Sequence, residues 1–324
     1  MTQQKSHPFD DIRKLVAELP IGDVDAAKHV TDKLNQSLSE LKPLGRLDKA
    51  ITWLARWQGT DKPSLSKPLV SVFIGAHQVT QYILGADPIE GARARIDALS
   101  SGSASVRGIA GAESAFFKVF EMGIEVPAAD MRLEPSLSER DCAAAIAYGM
   151  EVVAEDCDII VIGCAGFGTA TAAAGISRGL FGGTASYWAG GEGTHAARHV
   201  EAVEMAANTH KDILDDPLEI LRCFGGRDIA GMVGAILAAR HQKIPVLLDG
   251  YAVCAAAAVL HALNPDALDH CIAAHITVEP AHGALLDRIG KKPLLDLGLG
   301  IGDGSGAALS LGLLRAAAAG AREL

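Results

Sequence analysis

The stretch Asp158-Ile159-Ile160-Val161-Ile162-Gly163-Cys164-Ala165-Gly166-Phe167-Gly168-Thr169-Ala170-Thr171 runs from apolar, β-branched residues into clustered glycines, then into an Ala-rich helical pattern over 171–180. A strand, a tight turn and a helix in that order form one half of a β-α-β unit. Comparable strand runs occupy 69–75, 115–120, 245–248 and 271–277, and helical patterns occupy 138–154, 195–207, 229–240 and 252–263. Strands alternating with helices of this length require right-handed crossovers. The predicted fold is therefore α/β, a doubly wound and mostly parallel sheet covered on both faces. Such sheets hold ligands beyond the carboxyl ends of their strands.

Working outward, apolar residues three and four apart predict helices over 9–19 and 24–41, and Lys42-Pro43-Leu44-Gly45-Arg46-Leu47 turns into a further helical run ending near Trp57. The tail 306–320 is also helical in pattern. The ends of the chain are thus expected to form a smaller helical domain, residues 1–60 with about 280–324, beside a large α/β domain over 61–280. The Ser-, Gly- and Ala-rich segment 100–112 reads as a loop or a loosely packed helix start.

With 324 residues, 49% hydrophobic and 21% charged, the chain has ample material for a buried core. A net charge of -10 works against binding the phosphate backbone of nucleic acid, which needs clustered Lys and Arg. The longest apolar stretch, 251–263, is too short for a bilayer and contains His261, while the tail carries Arg315, so no membrane association is expected. Residues 1–13 mix acids and bases without an apolar core and do not read as a secretory signal, which predicts a cytoplasmic protein. The six cysteines lack C-x-x-C spacing and read as free, mostly buried thiols.

Two glycine-rich turns attract attention. The first places Gly163, Gly166, Gly168, Thr169 and Thr171 ahead of a helix N-terminus, where free amides favour an anion. Its glycines fall as G-x-x-G-x-G rather than G-x-G-x-x-G, and no Walker lysine follows, which argues against NAD and ATP. The competing reading is that these glycines only permit tight helix–strand packing. The second turn, Leu297-Gly298-Leu299-Gly300-Ile301-Gly302-Asp303-Gly304-Ser305-Gly306, contains a single ionisable residue, Asp303, which is either a functional carboxylate or a helix cap. Asp249-Gly250 and Gly225-Gly226-Arg227-Asp228 read equally as ligand contacts or as caps. The pattern His275-x-x-x-Glu279-x-x-His282 superficially offers metal ligands, but Pro280 breaks a helix there.

Leu44-Gly45-Arg46-Leu47, the block Cys223-Phe224-Gly225-Gly226-Arg227-Asp228-Ile229-Ala230-Gly231-Met232, the block Ile244-Pro245-Val246-Leu247-Leu248-Asp249-Gly250 and Pro293-Leu294-Leu295-Asp296-Leu297 with the following glycine turn together resemble the nicotinate-nucleotide:dimethylbenzimidazole phosphoribosyltransferase family, especially its alphaproteobacterial members. The resemblance spans nearly the whole chain. It implies a homodimer with active sites near the subunit interface, and a reaction needing neither metal nor organic cofactor. Phosphoribose would pass from nicotinate mononucleotide to 5,6-dimethylbenzimidazole or a related azole, giving α-ribazole phosphate and nicotinate. On this resemblance Asp303 is the catalytic base. The same resemblance implies Gly163, Gly166, Gly168, Thr169, Thr171, His199, Asp249, Gly250, Gly302, Gly304, Ser305, Gly306 and His77 as the substrate-binding residues.

Several ligand-facing positions depart from the family pattern. Asp303 stands where the family has Glu, placing the carboxylate one methylene nearer the backbone. In the first turn Cys164 replaces Glu, Thr169 replaces Asn and Ala170 replaces Thr; further on, His199 replaces a phosphate-side Lys. The base pocket reads Ala76-His77-Gln78-Val79, with Ala94 in place of a ring-side Gln, and the loop 190–194 is shortened. These changes leave two alternatives open: a noncatalytic or altered-specificity relative that binds a nucleotide or base, or one that pairs with an active transferase subunit. A reactive-cysteine enzyme built on Cys164, which precedes a helix start, is a further alternative.

Overall fold

The computed structural model describes residues 7–37, 44–154 and 156–323. Positions 38–41 of the second expected helix, Lys42 and Pro43 of the turn after it, and positions 1–6 of the expected small domain lie outside the described residues.

The predicted strands form as β1 (Pro68–Ile74), β2 (Phe116–Glu121), β3 (Ile159–Cys164), β4 (Val246–Leu248) and β5 (Cys271–Ala273), joined in one sheet of order β2-β1-β3-β4-β5. Every pairing in it is parallel, with Leu69 beside both Phe116 and Ile160. The fold is α/β, as the alternation of strand and helix patterns predicts. The expected single strand over 271–277 instead breaks at Ala274. Its second half, β6 (His275–Thr277), leaves the sheet and pairs in parallel with β7 (Leu295–Leu299), a strand whose sequence gives little warning because Asp296 and Gly298 interrupt it.

Alternating residues of the strands feed two separate cores, as a sheet covered on both faces requires. Leu69, Phe73, Ile160, Ile162, Val246 and Leu248 face the larger core, built with helices Thr169–Phe181, Arg227–His241 and Gly250–Leu263. Val70, Val72, Ile74, Ile159, Val161 and Leu247 face the other, covered by helices Arg46–Gln58, Pro88–Ser101, Ser105–Ala112 and Ser305–Glu323. The segment 100–112, read as a loop or a loosely packed helix start, holds the end of one helix and the whole of the next. The first of these begins at Asp87, whose carboxylate caps the amides of Ile89 and Glu90 ahead of Pro88.

At the ends of the chain, Val24–Ser37 and Arg46–Gln58 pack with the C-terminal helix around Val30, Leu34, Ile51, Ala55 and Ala317. The first helix, Asp10–Ala17, instead inserts Ile12 and Val16 into the larger core. None of the described helices is long and apolar enough to cross a membrane.

Candidate functional site at the carboxyl edge of the sheet

The chain leaves β1 toward one edge and β3 toward the other, so a crevice opens where their carboxyl ends diverge. The first glycine turn emerges from β3 at this place. The second arrives from β7, and the two meet backbone to backbone: the Cys164 amide donates to the Gly302 carbonyl at 2.7 Å. Gly163 makes that approach possible, since a methyl group there would collide with the backbone of Asp303 and Gly304.

Two adjoining cavities lie over this junction. The inner one, about 380 Å³, is lined by Cys164, Gly166, Thr169, Gly302 and Asp303, with Arg95, Leu99 and Ile301 completing its walls. The outer one, about 730 Å³, is lined by Thr171, the loop 190–194, His195 and His199. Ala170, Tyr251 and Glu279 belong to both and form the shared wall. Both volumes lie in the range of small-molecule sites, roughly 300–1,000 Å³.

The remaining candidates sit behind the groove as support and line neither cavity. His77 is buried with its Nε2 3.1 Å from Asp228 Oδ1, and Asp228 Oδ2 accepts from Thr169 Oγ1 at 2.5 Å. Burial acts to raise the Asp228 carboxyl. The His77 charge and the hydrogen bonds from His77, Thr169 and the Ile229 amide outweigh it and hold the group below its ordinary value. This network lies directly under Gly166 and Gly168: a side chain at Gly166 would run into Asp228 and Thr169, and one at Gly168, whose φ is +96°, into Thr80 and His77.

Asp249 is fully buried and serves the second turn from across the chain. Its carboxylate accepts from the Gly304 amide and from the Ala307 amide at 3.1 Å, and pairs with His275. Burial works to lower the His275 pKa, but the hydrogen bond and charge of Asp249 outweigh it and raise it. Gly250 backs onto Gly302, Gly306 packs against the His275 ring, and Gly304 and Ser305 are buried at the start of the last helix. For Asp249 the capping reading of the sequence is therefore the observed one, although the helix it caps is not its own.

Asp303 lines the inner cavity and is also a cap, its Oδ1 accepting the Ser305 amide at 3.0 Å. The capping reading is the observed one, and it uses one of the two carboxylate oxygens. His199 Nδ1 lies 2.6 Å from Thr171 Oγ1, and burial, with His195 nearby, pushes its pKa below the ordinary histidine value. The ring is accordingly neutral at pH 7. Cys164 runs against the reactive-thiol alternative. Burial and the neighbouring Asp228 push its pKa up to about 12, overriding the acidifying effect of a helix start.

The metal-like triad does not converge: His275 is committed to Asp249, while His282 Nδ1 accepts from the Thr277 amide at 3.0 Å and its Nε2 faces the Cys254 thiol. Among the described residues no group of three or more His, Cys, Asp or Glu could hold a metal ion. Sequence reasoning missed Arg95, whose guanidinium donates to the Ala165 carbonyl at 3.1 Å and lies over the Phe167 ring. It also missed Tyr251, anchored by its hydroxyl to Ser177 and Trp188, and it placed Glu279 in the wrong constellation.

A Phosphoribosyltransferase family model matches residues 20–324. A nicotinate-nucleotide–dimethylbenzimidazole phosphoribosyltransferase of Agrobacterium fabrum is 45% identical over 316 residues, covering 96% of this chain and 92% of that one. The enzyme of the same name from Rhizobium meliloti is also 45% identical, over 96% and 93%. Among solved structures, the nicotinate-nucleotide–dimethylbenzimidazole phosphoribosyltransferase of Thermus thermophilus superposes with a TM-score of 0.82 at 29% identity, covering 95% of this chain and 96% of that one.

Proposed function

The chain belongs to the nicotinate-nucleotide–dimethylbenzimidazole phosphoribosyltransferase family, and from that premise we propose that it moves phosphoribose from nicotinate mononucleotide to 5,6-dimethylbenzimidazole or a related azole, releasing nicotinate. The observation that carries this reading is the direct contact of the two glycine turns beneath a pair of adjoining cavities. A transfer between two flat rings needs two compartments that share one opening, because the ribose must remain between them.

In this arrangement the azole occupies the inner cavity, whose walls include Leu99, Ala252 and Ile301, and faces the free oxygen of Asp303. That oxygen takes the proton from one ring nitrogen as the other attacks the anomeric carbon from the opposite side to the leaving ring. The bond from that carbon to the pyridinium nitrogen breaks, its electron pair neutralises the pyridinium, and configuration inverts. The phosphate lies in the outer cavity, near the start of the Thr169–Phe181 helix and the amides around His195. Among the described residues no Lys or Arg lines that cavity, so backbone amides and hydroxyls carry the task. Val278 and Ile301 are exposed at the walls of the two cavities, an apolar rim that a homodimer would cover.

Incubating the purified protein with nicotinate mononucleotide and dimethylbenzimidazole, with chromatographic detection of nicotinate, tests the proposal. Release of nicotinate that depends on the azole is expected. Nucleotide binding without release, even at high enzyme concentration, would support a noncatalytic relative instead.

A further inference from the structure

Glu279 has a position that the reaction just described leaves unused. It occupies the N-cap position of the Pro280–Arg288 helix, yet its side chain makes no capping hydrogen bond. Of the carboxylates around the groove, Glu192 lines only the outer cavity and Asp303 only the inner one, whereas Glu279 lines both. Its Oε2 is buried and has no hydrogen-bond partner among the described residues. A buried carboxylate oxygen left unpaired is unfavourable, and a ligand that brings a donor to it relieves that cost.

The substrates differ in the donors they can offer. A phosphate dianion and the nicotinate carboxylate offer none and would be repelled. The azole offers one N–H, which the reaction removes. The ribose offers hydroxyls that keep their protons throughout, and it must bridge the two cavities, since the phosphate it carries lies in the outer one and the azole that attacks its anomeric carbon lies in the inner one.

We propose that Glu279 accepts hydrogen bonds from the 2′- and 3′-hydroxyls of the bound ribose, and so fixes the sugar at the junction of the cavities and selects ribonucleotides over deoxyribonucleotides. This rests on the phosphoribosyltransferase reading of the same groove. Glu279 is then a substrate-binding and specificity-determining residue, with proton transfer left to Asp303.

The test measures Kd and kcat/KM for nicotinate mononucleotide and its 2′-deoxy and 3′-deoxy analogues with the wild-type protein, Glu279→Gln and Glu279→Ala. Loss of hydrogen bonds to a charged acceptor corresponds to about 10- to 100-fold. The wild-type protein should show that preference for the ribonucleotide, and Glu279→Ala should lose the same factor with the ribonucleotide while treating the three sugars nearly alike. Glu279→Gln, which keeps one acceptor, should fall between. Without nucleotide the unfolding temperature of Glu279→Ala should not fall, because no protein hydrogen bond to Oε2 is removed.

Sugar selectivity that persists in Glu279→Ala, or turnover lost for every sugar at unchanged Kd, overturns the proposal; the latter would make Glu279 the proton acceptor. If the wild-type protein neither binds nor turns over nicotinate mononucleotide, the proposed function falls and this inference with it. If the wild-type protein works and its selectivity does not depend on Glu279, only this inference falls.

Discussion

His199 stands at the outer cavity with a neutral ring whose Nδ1 is engaged by Thr171, so it brings no charge to a phosphate. His199→Lys supplies that charge on a longer, flexible stem. A new charge-assisted contact is worth about 1.5–3 kcal/mol, so nicotinate mononucleotide should bind roughly tenfold or more tightly to the variant by calorimetry. Affinity equal to or below that of the wild type would place the phosphate elsewhere. Single residues also show where sequence reading stops. Asp228 and Asp249 were both legible as polar groups at element ends, equally caps or ligand contacts. What decides between these is the partner, His77 and Thr169 for one and the Gly304 and Ala307 amides for the other, and those partners are distant along the chain. Glu279 was misgrouped with His275 and His282 because spacing along a chain says nothing about where each side chain is already committed.

At the scale of elements, the two glycine turns work as one unit because their backbones touch. Gly163→Ala would force them apart, and overpacking against backbone costs about 1–3 kcal/mol, occasionally more. Chemical denaturation should show that loss, accompanied by loss of activity. Gly191→Ala, in the wall of the outer cavity with nothing near the added methyl, should stay within about 0.5 kcal/mol of the wild type. Equal stability of the two variants would mean that the contact at Gly163 does not hold the turns together. The strands β1 and β3 were readable almost to the residue, since buried central strands of a parallel sheet are continuous apolar runs. β7 was not, because it is largely exposed and owes its existence to pairing with β6. The helix over 88–101 had a weak apolar pattern, although Asp87-Pro88 was a usable start signal, and the helix over 105–112 is short and carries two glycines.

At the scale of the molecule, alternation of strands and helices was enough to anticipate a parallel sheet with ligands at its carboxyl edge, but not the order β2-β1-β3-β4-β5 that opens the crevice between β1 and β3. Long-range order of this kind depends on which apolar faces match, and composition does not reveal it. The opposite, amino edge of the sheet also carries a cavity, about 610 Å³, lined by Arg56, Lys67 and Asp158 among others. The most direct test of the account is therefore a crystal structure of the protein soaked with nicotinate mononucleotide. The expected result is phosphate density in the outer cavity near Thr171 and His199, with the ribose against Glu279. Nucleotide bound at the amino edge, or no nucleotide at the carboxyl edge at saturating concentration, would contradict it.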